Sequence, residues 1–163
     1  MDIKILTVGG TIDKVYFDAK SKYEIGESIA EEILNESNVT IKYEVESILK
    51  KDSLDLTEAD RKKIIETVLD DPHDKIVVTH GTDTMIKTAK ILSQKPHNKV
   101  IVFTGSMQPA RFKSSDAVFN IGSAVTAAQI LPTGVFIAMN GMVFDPNNSR
   151  KNVELQQFEI INE

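Results

Sequence analysis

Apolar residues in this 163-residue chain fall into short, nearly continuous runs that alternate with longer segments of helical spacing. Ile3-Lys4-Ile5-Leu6-Thr7-Val8 and Lys75-Ile76-Val77-Val78-Thr79 are β-branched runs closed by Gly9 and by His80-Gly81, as expected of interior parallel strands covered on both faces. The pattern predicts strands at 3–8, 39–48, 75–79, 99–104 and 134–139, and helices at about 28–36, 57–70, 83–94 and 115–130. Such an order gives an α/β fold, a three-layer α/β/α sandwich around a mainly parallel, flavodoxin-like or Rossmann-like sheet.

The second helix carries its own start signal. Thr57 is placed as N-cap with Asp60 three residues on, and Ile64, Ile65, Val68 and Leu69 form an apolar stripe that covers one sheet face. All five prolines, at 72, 96, 109, 132 and 146, fall between the predicted elements. Asp13 to Gly26 lacks a clean period and holds Tyr16, Phe17 and Tyr23, so it reads as a long loop after the first strand, the usual place for a lid. Ser114 to Ile130 is rich in small residues, which permits close helix packing against the sheet or against a partner subunit.

Hydrophobic content of 41% and charged content of 26% suit one soluble globular domain. The net charge of −5 argues against a nucleic-acid or anionic-membrane surface, with acidic stretches at Glu24 to Glu36 and Glu154 to Glu163. The basic run Arg61-Lys62-Lys63 reads as a solvated helix face. Absence of cysteine removes disulfides, thiolate metal sites and a Cys nucleophile. No apolar run approaches the ~20 residues of a membrane span and no basic-then-apolar leader precedes the first strand, so a cytoplasmic protein is expected.

No Gly-x-x-x-x-Gly-Lys-[Ser/Thr], Gly-x-Gly-x-x-Gly or Gly-x-Ser-x-Gly run occurs, so ATP, dinucleotide and serine-hydrolase readings lose their main support. His73, His80 and His97 are scattered, and no metal or organic cofactor is expected. What remains is a pair of threonine-bearing strand ends, Val8-Gly9-Gly10-Thr11-Ile12 and His80-Gly81-Thr82-Asp83-Thr84. In open α/β sheets ligands bind beyond the carboxyl ends of the strands, and Gly9, Gly10 and Gly81 let backbone amides and hydroxyls approach them. A threonine hydroxyl needs activation to act as a nucleophile. Asp83 beside Thr82, with Lys151 in the polar loop after the last strand, makes an Asp–Lys–Thr relay chemically available. Taken singly, each residue has a plainer reading: Gly-Thr as a turn and helix cap, His80 as a structural hydrogen-bonder, Tyr23 as a loop aromatic, Lys151 as a solvated charge.

Together and in this order, the runs resemble the N-terminal domain of the asparaginase/glutaminase family. Val8-Gly9-Gly10-Thr11-Ile12 is similar to the family's Thr-Gly-Gly-Thr-Ile run, with valine in the leading position, and Val77 to Met85 resembles its most specific motif almost without departure. Phe103-Thr104-Gly105-Ser106-Met107-Gln108-Pro109, followed by Ser115-Asp116-Ala117-Val118-Phe119-Asn120, extends the resemblance over nearly the whole chain. The resemblance implies Thr11 as acylated nucleophile held by Tyr23, in the setting Lys22-Tyr23-Glu24-Ile25-Gly26, and Thr82, Asp83 and Lys151 as a second triad, with Lys151 set in Ser149-Arg150-Lys151-Asn152. Substrate recognition would fall to Asp52, Ser53 and Asp83, with Gly10, Gly81 and Thr82 lining the same pocket. The implied chemistry is hydrolysis of the side-chain amide of L-asparagine, or a related small amide, through an acyl-enzyme with backbone oxyanion donors.

Family members carry a C-terminal domain, often from a neighbouring subunit, that supplies an acidic residue supporting the tyrosine. Residues 1–163 correspond to the N-terminal domain without it, so the chain is expected to be either a single-domain relative or part of a longer protein. Glu24, or an acid from the tail of a second copy, is the candidate replacement. A homodimer or higher homo-oligomer is expected, since a second copy would cover the strand-end pocket. The competing readings are a binding module for aspartate or asparagine and a subunit of an amidotransferase acting on misacylated tRNA.

Overall fold

A computed structural model of the chain describes residues 2–162. Strand β1 (Asp2–Thr7) leads into a hairpin of β2 (Lys14–Phe17) and β3 (Lys22–Ile25), followed by α1 (Ala30–Glu36) and β4 (Lys42–Ser47). Then come α2 (Glu58–Asp70), β5 (Lys75–Thr79), α3 (Met85–Ser93), β6 (Val100–Thr104), α4 (Ala117–Ile130) and β7 (Gly134–Met139). The chain closes with β8 (Met142–Phe144) and the ribbon of β9 (Ser149–Asn152) and β10 (Gln157–Ile160). The central sheet has the order β4-β1-β5-β6-β7-β8, with only β8 antiparallel. This is the flavodoxin-like arrangement the apolar runs predict.

The interior strands β1, β5 and β6 are largely apolar on both faces because helices cover both. Ile3 and Ile5 of β1 and Val77 of β5 pack with Ala30, Ile33 and Leu34 of α1 and Ile121, Ala124 and Ala128 of α4. Leu6, Ile76 and Val78 face the opposite way, into Ile64, Ile65 and Val68 of α2 and Met85, Ala89 and Leu92 of α3. The expected cap of α2 is present in full: Asp60 N–H donates to Thr57 Oγ1 at 3.1 Å and Thr57 N–H to Asp60 Oδ2 at 2.9 Å.

Direction and face together reveal the hand of each crossover. Helix α1 carries the chain outward from β1 to β4 on one face, whereas α2 and α3 carry it the other way, to β5 and β6, on the other face. Reversing both direction and face preserves the hand, so these three agree, with the right-handed sense parallel strands adopt almost without exception. Helix α4 runs in the direction of α3 but on the face of α1, which makes β6–α4–β7 left-handed. Its leading loop, residues 105–116, meets the segment after β1, where Ala110 N–H donates to Ile12 O at 3.1 Å.

Three expectations need correction. Asp13 to Gly26 is a two-stranded antiparallel hairpin, with Tyr16 opposite Tyr23, and not a loop. The alternation is short and both faces are polar or half-exposed, which hides the period of two. Lys151 stands in strand β9, not in a loop. Arg61 does not lie on a solvated face; it is 4% exposed. Among the described residues, no helix is long and apolar enough to cross a membrane.

Candidate active site

The carboxyl ends of β1 and β5 are neighbours, with Thr7 opposite Thr79 and Thr79 opposite Thr104. The chain leaves β1 toward the α1 face and β5 toward the α3 face, so a crevice opens between them. Glycine lets the loops close over it. A Cβ on Gly10 would stand 2.5 Å from the Cα of Gly81, and one on Gly81 would stand 2.6 Å from Ser53 Cβ. Gly10 also has φ near 94°, which side-chain-bearing residues rarely adopt. The backbones after β1, β4 and β5 are therefore in van der Waals contact at one point.

Thr11 opens a 3-10 turn, Thr11–Asp13, directly after that point, and is half-buried. The amide of Gly10 is already donated to Lys51 O at 3.0 Å, so Gly10 shapes the pocket by its lack of a side chain, not by donating its N–H to a ligand. Across the crevice Thr82 is 5% exposed, and its Oγ1 accepts from Lys151 Nζ at 2.8 Å. The same ammonium donates to Asp83 Oδ1 at 2.7 Å. Lys151 reaches this position because β9 pairs with β10 and puts it directly opposite Phe158, which packs on Phe144 in the core. Residues opposite one another in an antiparallel pair share a face, so anchoring Phe158 inward aims Lys151 inward too. The flanking pair points outward, with Arg150 Nε 3.0 Å from Glu159 Oε2.

Asp52 and Ser53 follow β4. Asp52 Oδ1 accepts from Leu54 N at 3.1 Å and Oδ2 lies 3.1 Å from Lys14 Nζ. Burial pushes the Asp52 carboxyl upward, but the Leu54 amide, the Lys14 ammonium and the charge of Lys151 outweigh it and hold the group below the usual carboxylate range. Ser53 is buried; its hydroxyl accepts from Thr84 N at 3.2 Å and its carbonyl from Thr84 Oγ1 at 2.9 Å. Asp52 thus faces the crevice with Lys14, while Ser53 joins the loops after β4 and β5.

Tyr23, on β3, is half exposed, and its ring meets Tyr16 at 5.4 Å and Phe112 at 5.7 Å. Among the described residues no hydrogen bond joins its hydroxyl to Thr11. Tyr23, Lys14, Lys51, Asp52 and Asp55 line a cleft of about 580 Å3 between the hairpin and the loop after β4. Thr82, Asp83 and Lys151 are thus assembled by direct contact; Thr11, Gly10, Gly81, Ser53 and Asp52 lie around the same crevice; Tyr23 stands in the adjoining hairpin cleft, which it shares with Asp52.

His80 is fully buried and structural. Its Nδ1 lies 2.8 Å from Gly81 O, which can only accept, so Nδ1 carries the proton and Nε2 accepts from Thr88 Oγ1 at 2.9 Å. Burial, opposed by the Gly81 carbonyl and reinforced by the charge of Arg61, lowers its pKa to about 4. Three residues around the site escaped the sequence reading: Lys14, Phe112 and Arg61. Arg61 was detectable, because it falls at helical spacing with Ile64, Ile65 and Val68 and so belongs to the buried stripe of α2.

Comparison with known proteins shows the family. A family model described as "Asparaginase, N-terminal" matches residues 2–162. The L-asparaginase of Thermococcus kodakarensis is 33% identical over 175 residues, covering 99% of this chain and 52% of that protein. L-asparaginase 2 of Escherichia coli is 33% identical over 174 residues, covering 99% and 50%. The solved structure of the thermostable L-asparaginase from Thermococcus kodakarensis superimposes with a TM-score of 0.86 at 29% identity, over 100% of this chain and 52% of that one. The chain spans about half the length of the curated relatives it matches. With a family model spanning nearly all of it and this arrangement of threonines, aspartate and lysine at the strand ends, the chain belongs to the asparaginase family.

Proposed function

We propose that this chain carries the catalytic centre of an amidohydrolase that converts the side-chain amide of L-asparagine, or of a related small amide, to a carboxylate and ammonia. The observation that carries the reading is the Lys151 ammonium shared between Thr82 Oγ1 and Asp83 Oδ1 at the mouth of the crevice. A cation shared between a hydroxyl and a carboxylate at a strand end gives a hydrogen-bonded chain along which protons can move to and from a reacting group.

In this reading Thr11 Oγ attacks the amide carbon, its proton passes to the leaving nitrogen, and ammonia departs from a Thr11 ester. Water then attacks the ester carbon, gives one proton back to Thr11 and leaves the carboxylic acid. Thr82, Lys151 and Asp83 relay the protons, and backbone N–H groups at the two strand ends stabilise the oxyanion. Asp52 and Asp83 supply negative charge for a substrate ammonium, and Tyr23 with its hairpin covers the pocket from the open side. The hairpin cleft faces solvent, and a second copy of the chain is the cover this reading expects.

The test is ammonia release from asparagine and a panel of small amides by the 163-residue chain, with its mass in solution measured alongside. Turnover is expected to fall by about 10³-fold or more in both Thr11→Ala and Thr82→Ala. An active Thr11→Ala protein removes Thr11 as nucleophile. Thermal stabilisation by aspartate without any turnover replaces the enzyme with a binding module.

A further inference from the structure

We infer that Arg61, buried in α2 behind the site, is a positioning residue that clamps both ends of the Thr82–Asp83 dipeptide through two hydrogen-bonded branches. Its Nη1 donates to Thr84 Oγ1 and to Thr88 Oγ1, each at 3.1 Å, and its Nη2 to Leu56 O at 3.4 Å. In the first branch Thr84, the residue after Asp83, passes its hydroxyl proton to Ser53 O at 2.9 Å and its amide proton to Ser53 Oγ at 3.2 Å. In the second, Thr88 Oγ1 donates to His80 Nε2 at 2.9 Å, and His80 Nδ1 donates to the carbonyl of Gly81, the residue before Thr82, at 2.8 Å. The directions are compatible: each threonine hydroxyl accepts from the guanidinium, Thr84 gives its single proton to Ser53 O, and Thr88 gives its own to the nearer of two acceptors, His80 Nε2 at 2.9 Å rather than Thr84 O at 3.4 Å.

Packing alone does not explain this residue. The guanidinium is 5% exposed, and the carboxylate that faces it, Glu58, is largely solvent-exposed and 3.7 Å from Nε, a nitrogen that has no hydrogen-bond partner. A buried cation without a buried counter-ion is costly, and an apolar side chain of the same length would fill the space more favourably. What an apolar residue cannot supply is a fork of donors matched to two hydroxyls and a carbonyl. The branches end on residues 81 and 84, which bracket the two that Lys151 touches. The catalytic consequence rests on the amidohydrolase reading above; the clamp itself does not.

The experiment follows amide hydrogen exchange by NMR in the full chain and its Arg61→Met variant. The amides of Thr82, Asp83 and Thr84 are expected to exchange at least about tenfold faster in the variant, with those of Val78 and Phe103 in β5 and β6 changed by less than about threefold. In parallel, kcat for asparagine is expected to fall by about tenfold or more, to be partly retained in Arg61→Lys, and to recover in Arg61→Ala with millimolar guanidinium but not with urea. Unchanged exchange at residues 82–84, or acceleration spread equally over β5 and β6, overturns the clamp. A wild-type chain that releases no ammonia sinks the amidohydrolase reading while the exchange result still decides on Arg61. If Arg61→Met does not fold, Thr88→Val removes the second branch and the 3.4 Å bond to Thr84 O while leaving the Arg61–Thr84–Ser53 branch in place: faster exchange at residues 82–84 supports the clamp and unchanged exchange overturns it.

Discussion

The two threonines at the crevice live in differently built surroundings. Thr82 is buried, follows a central strand, touches Lys151 and is bracketed by residues tied to His80, Ser53 and Arg61. Thr11 opens a single 3-10 turn, and the element beyond it is a two-stranded hairpin held at its root by Gly26 N–H on Asp13 O at 2.8 Å and Ile29 N–H on Asp13 Oδ1 at 2.9 Å. Two-stranded ribbons are marginal by themselves, and this one exposes Tyr16, Phe17 and Tyr23. The contrast divides the labour. A relay that moves protons needs fixed heavy-atom distances, because small displacements forfeit most of the rate. A cover that admits substrate and releases product needs low local stability. In the proposed mechanism one side of the crevice serves the first and the other the second.

Removing the cation on the rigid side gives the largest expected effect. Lys151→Met keeps the length of the side chain opposite Phe158 but deletes both hydrogen bonds, to Thr82 and to Asp83. Loss of a positioned acid–base group lowers kcat by about 10²–10⁴-fold. KM for asparagine should move far less, and steady-state kinetics separate the two. Activity within tenfold of wild type would show that the Thr82 side is scaffold rather than relay.

The root of the hairpin gives the next effect, and it is read in stability against pH. Burial raises the pKa of Asp13 from 3.8 to about 6, with the Ile29 amide working in the opposite direction. The folded pKa lies above the unfolded one, so the folded state holds the proton more tightly. The favourable contribution is complete below about pH 4 and is lost as pH rises through about 6. Two pKa units correspond to at most about 3 kcal/mol. Asp13→Asn keeps an oxygen for the Ile29 amide and never ionises, so the stability difference between variant and wild type should grow in the variant's favour from pH 4 to 7. Urea titrations at a series of pH values measure it, and a flat difference would mean that Asp13 is not desolvated when charged.

How much of this could be read from the sequence follows from the range of the forces involved. Strands such as Lys75–Thr79 and the capped helix from Thr57 were legible because local patterns determine them: burial on both faces, a capping box and a stripe at 3.6-residue spacing. The Thr82–Asp83–Lys151 grouping was legible as available chemistry and through the family resemblance, but nothing local brings position 151 to position 82; the β9–β10 register does that through Phe158. The hairpin was missed because neither of its faces is fully buried, which removes the period-two contrast that marks a strand. Arg61 was read as solvated because its neighbours Lys62 and Lys63 are basic; the helical phase, which puts it with Ile64, Ile65 and Val68, was the better guide. The left-handed crossover has no local cause at all. Handedness is a property of how the whole unit packs on the sheet.

That crossover supplies the gentlest test of the contrast, at Phe112. The loop from 105 to 116, which leads into α4 on the α1 face, meets the hairpin side of the site: Ala110 N–H donates to Ile12 O at 3.1 Å, and the Phe112 ring stands edge-on to Tyr23 at 5.7 Å. Aromatic edge contacts are worth about 0.5–1.5 kcal/mol, and Phe112 is itself partly exposed. Phe112→Ala should therefore cost no more than that in global stability, while hydrogen exchange of the β2–β3 amides quickens by several-fold and the amides of residues 82–84 are untouched. KM for asparagine should rise by about three- to tenfold with a smaller change in kcat, because the cover is loosened and the relay is not. If instead kcat falls with KM unchanged, the hairpin belongs to the chemistry as directly as Thr82 does, and the division between a fixed half and a yielding half of the site fails.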